Sequence, residues 1–445
     1  MLLDWTAEYK KKLVTADEAA KVVKSGDWVE YAFGVACACA FDEALSKRQK
    51  ELKDVKIRCD IGAYKHYTLE NDPNLETFTW NSWHVAGADK AWIHKGLFYI
   101  PMKFHECPPM TQNNCAPDNV FVAQVSPMDK HGYFSWGTGA PSAMAAHEVA
   151  QYTIMEVNPN IPRVLGGGQE CIHISEVDYI IESTNPLPIL APAAPSETDI
   201  SIAKNIIPLL RNGCCIQLGI GGVPNAVGTM IAGSDLKDLG VHTEMYVDAY
   251  IEMYKAGKLS GKFKNVDKYK QVFSFAMGSQ DLYDYIDDNP CCIAYNVDYT
   301  NSPVVIASID NFVSINACIE VDLYGQVSSE SVGPRHISGT GGQLDFVEGA
   351  YKSKGGQSFV CFASSKTLKD GTRTSTINPT LPNGSIVTCP RTATHMLVTE
   401  NGIANMKGKS TWERAEALIA IAHPDFQDEL VKQAEKNNIW RKSNK

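Results

Sequence analysis

Cys214-Cys215-Ile216-Gln217-Leu218-Gly219-Ile220-Gly221-Gly222-Val223-Pro224 decides the fold, because it reads as a buried strand running straight into a glycine-rich loop. Upstream, Ile202 to Leu210 reads as a helix that Asn212-Gly213 stops. The same grammar stands near the amino terminus. There Thr15-Ala16-Asp17-Glu18 has the form of a capping box, its helix ends near Gly26, and Trp28-Val29-Glu30-Tyr31-Ala32-Phe33 is a strand entering Gly34. A second echo joins Val122–Gly132 to Ile319–Ser328, each a buried strand entering an aspartate-containing turn closed by glycine. Gly34 and Gly221 lie 187 residues apart, and Gly132 and Gly325 lie 193 apart. This near-constant offset predicts an α/β fold of two similar open domains, residues 1–190 and 196–445. The boundary falls in Asn185–Pro195, whose prolines resist both helix and central strand. At the other end, Ser410-Thr411-Trp412-Glu413 caps a helix through Ala422, and His423-Pro424 breaks it before a further helix from Asp425.

Composition narrows the function. With 445 residues, 44% of them hydrophobic, the chain can bury a large core. A net charge of −10 argues against a nucleic-acid binder, which needs a basic stripe to neutralise phosphates, and an anionic ligand would need local lysines. Thirteen cysteines, an odd number with adjacent pairs and no CxxC spacing, read as free buried thiols of a reducing cytoplasm. The amino terminus carries acids where an export signal needs a basic start. The long uncharged run Asn212–Ser234 holds six glycines and a proline, so it is a core segment with a loop and not a membrane span. The eleven histidines show no HExxH or paired-ligand spacing, so no metal is expected. His131 and His173 are expected to line a pocket or serve the core.

Chemistry concentrates in Val241-His242-Thr243-Glu244-Met245-Tyr246-Val247-Asp248, a carboxylate placed between two glycine clusters, Gly219–Gly222 and Gly339-Thr340-Gly341-Gly342. Glycine loops let amide N–H groups approach a reacting oxygen, and a positioned glutamate can attack a carbonyl to form an anhydride. That combination points to acyl chemistry. From pattern alone, Glu244 reads as a solvated strand-end acid, and the first glycine loop could equally be a tight core turn. A dinucleotide fingerprint is disfavoured by Pro224, which stands where close helix–strand packing asks for glycine. Cys214 and Cys215 carry no local signature of a nucleophile. A non-catalytic binding module would leave Glu244 without a purpose.

These stretches, with Trp80–His84, Ser126–Phe134, Gly339–Phe346, Thr399–Ala404, Glu413–Ile419 and Ile421–Pro424, resemble the acetyl-CoA hydrolase/transferase family of class I CoA-transferases along nearly the whole chain. The resemblance implies that Glu244 is the catalytic nucleophile. It implies that Gln217, Leu218, Gly219, Ile220 and Gly221 lie against coenzyme A, that Ile319 and Gly342 flank its pocket, and that Lys369 pairs with a phosphate. It places the active site in the cleft between the two domains, with the second carrying Glu244 and the first part of the acyl-side wall. The implied reaction moves CoA, as a substrate thioester and with no prosthetic group, between butyryl-CoA and acetate, releasing butyrate. 4-Hydroxybutyryl-CoA is the second choice of acyl donor, and hydrolysis is the nearest rival reaction. A cytoplasmic homo-oligomer without nucleic-acid or membrane partners is the corresponding expectation. One departure stands out: the family often places proline after the first-domain glycine, whereas this chain has Gly34-Val35.

Overall fold

The computed structural model describes residues 4–93, 95–190 and 194–441, so Ala191-Pro192-Ala193 of the expected linker lie outside the described residues. The chain forms two compact units. The first comprises Met1–Ala191 together with Glu244–Val247 and Lys270–Thr300; the second comprises Pro192–Thr243, Asp248–Tyr269 and Asn301–Lys445. Glu244 therefore packs with the first unit, although the glycine loop preceding it in sequence belongs to the second.

The first unit is built on a seven-stranded parallel sheet in the order Leu97–Tyr99, Phe78–Ser82, Val55–Cys59, Trp28–Tyr31, Val120–Val125, Tyr152–Val157, Tyr179–Glu182. Val120–Val125 is buried at every position, as a central parallel strand covered on both faces must be. The chain starts at Trp28–Tyr31, builds outward on one side, then returns to Val120–Val125 on the other. A topological switch point thus lies at the carboxyl end of Trp28–Tyr31, where open α/β sheets bind ligands.

The second unit repeats this plan. Parallel strands run in the order Gly240–His242, Cys215–Leu218, Phe312–Ala317, Gln357–Cys361, Met396–Thr399, with Gly402–Asn405 added antiparallel at the edge. Its switch point lies at the carboxyl end of Cys215–Leu218, next to Phe312–Ala317. The recurrence of strand and glycine loop therefore marks the same topological position in each unit.

Local expectations hold where capping chemistry is explicit. Thr15 accepts from the Glu18 amide, and the Glu18 carboxylate accepts from the Thr15 amide; Ser410 and Glu413 are paired in the same way ahead of Thr411–Ala420. The final helix begins one residue earlier than expected, at Pro424. The helix before the first glycine loop runs from Glu197 to Ile206, not from Ile202, because Ser196 and Asp199 make a capping box with aspartate where glutamate is usual. The two aspartate turns match bond for bond. Asp129 Oδ1 accepts from the amides of His131 and Tyr133, and Asp322 Oδ1 from those of Tyr324 and Gln326. Gly132 and Gly325 close them at φ +89° and +84°. Their strands differ, however: Val120–Val125 is central in the large sheet, whereas Glu320–Asp322 belongs to a separate three-stranded sheet.

Candidate active site

Glu244 follows the strand Gly240–His242 and precedes Met245–Tyr246, which pairs in parallel with Phe275–Ala276. Its backbone is held firmly: the Glu244 carbonyl accepts from the Ser274 amide at 3.0 Å, the Ser274 hydroxyl at 2.9 Å and the Phe275 amide at 3.2 Å. Tyr246 extends the anchor, its hydroxyl donating to Gln271 Oε1 at 2.5 Å while Gln271 Nε2 donates to Tyr285. The glutamate side chain is half-buried.

A buried aromatic cluster is joined to its backbone in the same unit through Phe275. Phe33 stacks on Phe104 with ring centroids 5.0 Å apart, and Phe275 lies 5.9 Å from Phe33. Gly34 adopts φ +52°, and a Cβ there would come within 3.3 Å of Met277 Cε. The loop is pinned through its backbone: the Gly34 amide donates to the Asp60 carbonyl at 3.1 Å. None of Phe104, Phe275, Ser274 or Asp60 carries a local motif, which is why sequence patterns pass over them.

Asp60 sits just past the strand Val55–Cys59 and is only 2% exposed. Its Oδ1 has no hydrogen-bond partner among the described residues. Burial, and then the charges of Asp89 and Glu244, hold its carboxyl well above the usual carboxylate range.

In the second unit, the carboxyl ends of Cys215–Leu218 and Phe312–Ala317 bring the expected coenzyme-contacting segments to one edge. Gln217 and Asn316 exchange reciprocal amide hydrogen bonds at 3.1 Å, and the Gly219 amide donates to the Ile315 carbonyl. Gln217 and Leu218 are buried, whereas Gly219, Ile220 and Gly221 reach the surface. Gly221, at φ +126°, turns the chain into the helix Gly222–Ala232. Gly342 caps the helix Gln343–Lys352, and Gln343 Nε2 donates to the Ala317 carbonyl, which ties that loop to the same edge near half-buried Ile319. Thr340 is fixed by donating to Glu330 Oε1 at 3.0 Å. Lys369 is exposed at the tip of the hairpin formed by Ser365–Thr367 and Arg373–Ser375.

The remaining titratable candidates fall away on physical grounds. Burial pushes the Cys214 thiol up to about 12 and Cys215 to about 11, which opposes thiolate formation near neutrality. His173 Nδ1 bonds to Ser175 Oγ and its ring meets Trp5 edge-on. His131 lines a cavity of about 220 Å³ with Asp129, Tyr133 and Arg163. Among the described residues, no cluster of three His, Cys, Asp or Glu side chains could hold a metal ion, and no helix is long and apolar enough to cross a membrane.

Comparison with known proteins shows the family. Residues 3–191 match the acetyl-CoA hydrolase/transferase N-terminal domain and residues 278–434 its C-terminal domain. The chain is 69% identical over 439 residues to the "Probable butyrate:acetyl-CoA coenzyme A-transferase" of Syntrophomonas wolfei, covering 98% of each protein. The chain belongs to the acetyl-CoA hydrolase/transferase family. It is also 53% identical, over the full length of both proteins, to the butyryl-CoA:acetate CoA-transferase of Anaerostipes caccae. Among solved structures of similar fold, RipA from Yersinia pestis superposes with a TM-score of 0.91 at 36% identity, covering 98% of this chain and all of that one.

Proposed function

We propose that this family member is a CoA-transferase that moves CoA between butyryl-CoA and acetate, with Glu244 as the covalent nucleophile. The observation that carries the reading is the end-to-end agreement with two relatives of that named activity, at 69% and 53% identity. The pinned backbone of Glu244 supports it, since a nucleophile must be held at its reacting distance.

The Glu244 carboxylate attacks the thioester carbonyl, expelling CoA thiolate and leaving a butyryl-glutamyl anhydride. The thiolate attacks the glutamyl carbonyl, releasing butyrate and forming a glutamyl-CoA thioester. Acetate attacks that carbonyl, forming an acetyl-glutamyl anhydride and expelling the thiolate again. Attack of the thiolate on the acetyl carbonyl yields acetyl-CoA and frees Glu244. The thioester energy is conserved throughout, so no nucleotide is consumed. Amides of Gly219–Gly221 and Gly339–Gly342 serve the coenzyme, with Ile319 flanking it and Lys369 meeting a phosphate.

Incubation with butyryl-CoA alone tests the reading. The Glu244 peptide should gain the mass of CoA less water, kinetics with acetate should be ping-pong, and Glu244→Gln should show neither adduct nor transfer. An adduct on a cysteine peptide, or near-normal exchange by the Gln variant, rejects it.

A further inference from the structure

Glu330 has no part in the scheme above, yet in the second unit it stands beside two of the segments assigned to the coenzyme. It precedes a hairpin in which Ser331–Val332 pairs antiparallel with Arg335–His336, and the chain leaves that hairpin through Ile337-Ser338 into Gly339-Thr340-Gly341-Gly342. The Glu330 carbonyl accepts from the amides of Ile337 and Ser338 at 2.7 and 3.2 Å, which closes the open end of the hairpin. Two residues before Glu330, the Ser328 carbonyl accepts from the Ile319 amide at 3.0 Å.

The side chain of Glu330 is buried, at 4% exposed. Its Oε1 accepts from Thr340 Oγ1 at 3.0 Å and from Thr388 Oγ1 at 3.1 Å, and Thr388 Oγ1 in turn accepts from the Ser329 amide at 2.9 Å. Burying a carboxyl group costs free energy that hydrogen bonds offset only in part, so packing alone would favour an apolar side chain here. What the carboxyl supplies instead is a fixed acceptor for the glycine loop. Three of the four residues of that loop are glycines, Gly341 at φ +52°, and a chain of this kind has much conformational freedom to lose. Thr340 alone among the four has a side chain by which the loop can be held. The far end is tied separately, where Gln343 Nε2 donates to the Ala317 carbonyl at 2.8 Å, at the carboxyl end of the strand Phe312–Ala317.

We propose that Glu330 is a positioning residue for coenzyme binding: by holding the Thr340 hydroxyl, it sets the Gly339–Gly342 loop in the conformation that receives coenzyme A. This role rests on the reading of that loop as a coenzyme contact. A loop ordered before binding does not have to be ordered by the ligand, so the hydrogen bond between Thr340 and Glu330 appears as affinity for CoA although Glu330 acts only through Thr340.

Calorimetric titration with CoA, paired with amide hydrogen exchange, tests it. Thr340→Val keeps the shape of the side chain and removes the donor; Glu330→Ala removes the acceptor; Glu330→Gln keeps an oxygen that can accept. Thr340→Val and Glu330→Ala should each raise Kd for CoA about tenfold, and the double variant should be no weaker than either alone. Glu330→Gln should stay within about twofold of the unmodified protein. Without CoA, exchange across residues 339–342 should quicken in Thr340→Val and Glu330→Ala, with the change confined to that loop. Unchanged affinity in Thr340→Val, effects that multiply in the double variant, or a Glu330→Gln as weak as Glu330→Ala overturns the positioning role. Thr340→Val leaves Glu330 in place, so it decides the matter even if Glu330→Ala does not fold. The reading beneath is scored separately on the unmodified protein: CoA should protect residues 339–342 from exchange. Binding without that protection removes the loop from the coenzyme site, whereas protection with unchanged affinity in Thr340→Val removes only the role of Glu330.

Discussion

At the residue scale, Glu244 is conspicuous because it stands in an uninterrupted motif, and the structure adds what the motif does not show: three donors converging on its carbonyl. With the backbone fixed, only the side chain's length sets where the attacking oxygen lies. Glu244→Asp withdraws that oxygen by one methylene and should cost about 10²-fold in kcat, since near-attack geometry tolerates displacements of only about 1 Å. Stopped-flow measurement of adduct formation would show the loss in the first half-reaction; a loss confined to the acetate step would contradict it. Asp60 illustrates the opposite case. Arg58-Cys59-Asp60-Ile61 carries no pattern, and its character comes from burial and from partners distant in sequence, which local reading has no means to supply.

Capping boxes and aspartate turns, at the scale of the element, are local hydrogen-bond devices and are therefore readable from a few residues. The positioning of the loop after Gly34 is not, because its anchor is Glu156, on the distant strand Tyr152–Val157. Buried Glu156 accepts from the amides of Ala40 and Phe41 at 3.1–3.2 Å, at the start of the helix Cys39–Ser46. Burial is the largest influence and raises its carboxyl from the usual 4.5 to about 7. An acid whose pKa is higher in the folded state takes up its proton preferentially on folding, so stability falls as pH rises from about 4.5 to about 7 and is level above that. The shift corresponds to about 3 kcal/mol at most. Urea midpoints at pH 5 and pH 8 should therefore differ less for Glu156→Gln than for the unmodified protein; an equal difference would show that Glu156 is not the group responsible. Gly167 tests a close approach between elements of the first unit. A Cβ there would lie 1.7 Å from Tyr295 Cε1, so Gly167→Ala must displace the ring and should destabilise by about 1–3 kcal/mol, visible as a lowered thermal midpoint.

For the whole molecule, the repeated strand-and-loop grammar translated into two sheets with equivalent switch points, because strand order follows from chain order and right-handed crossovers. Which unit each segment packs into was beyond that grammar: Lys270–Thr300 joins the first unit through partners such as the Gly166–Ala294 bridge, a contact no local pattern announces. Charge is the other property of the whole. A chain of net charge −10 repels a polyanionic coenzyme at long range, so binding must depend on local cations. At about 0.01 M ionic strength the screening length is about 30 Å and the whole charge is felt; at about 0.15 M it is about 8 Å and near contacts prevail. Lys369, exposed on its hairpin tip, offers a contact of the screened kind, worth no more than about 1 kcal/mol. Lys369→Ala should raise KM for butyryl-CoA up to about fivefold at low salt with kcat little changed, because a phosphate contact is made equally in ground and transition states. The ratio of variant to unmodified KM should then shrink as salt is added, whereas a packing defect at the hairpin would persist at every ionic strength. A KM that does not move at low salt would remove Lys369 from the coenzyme site.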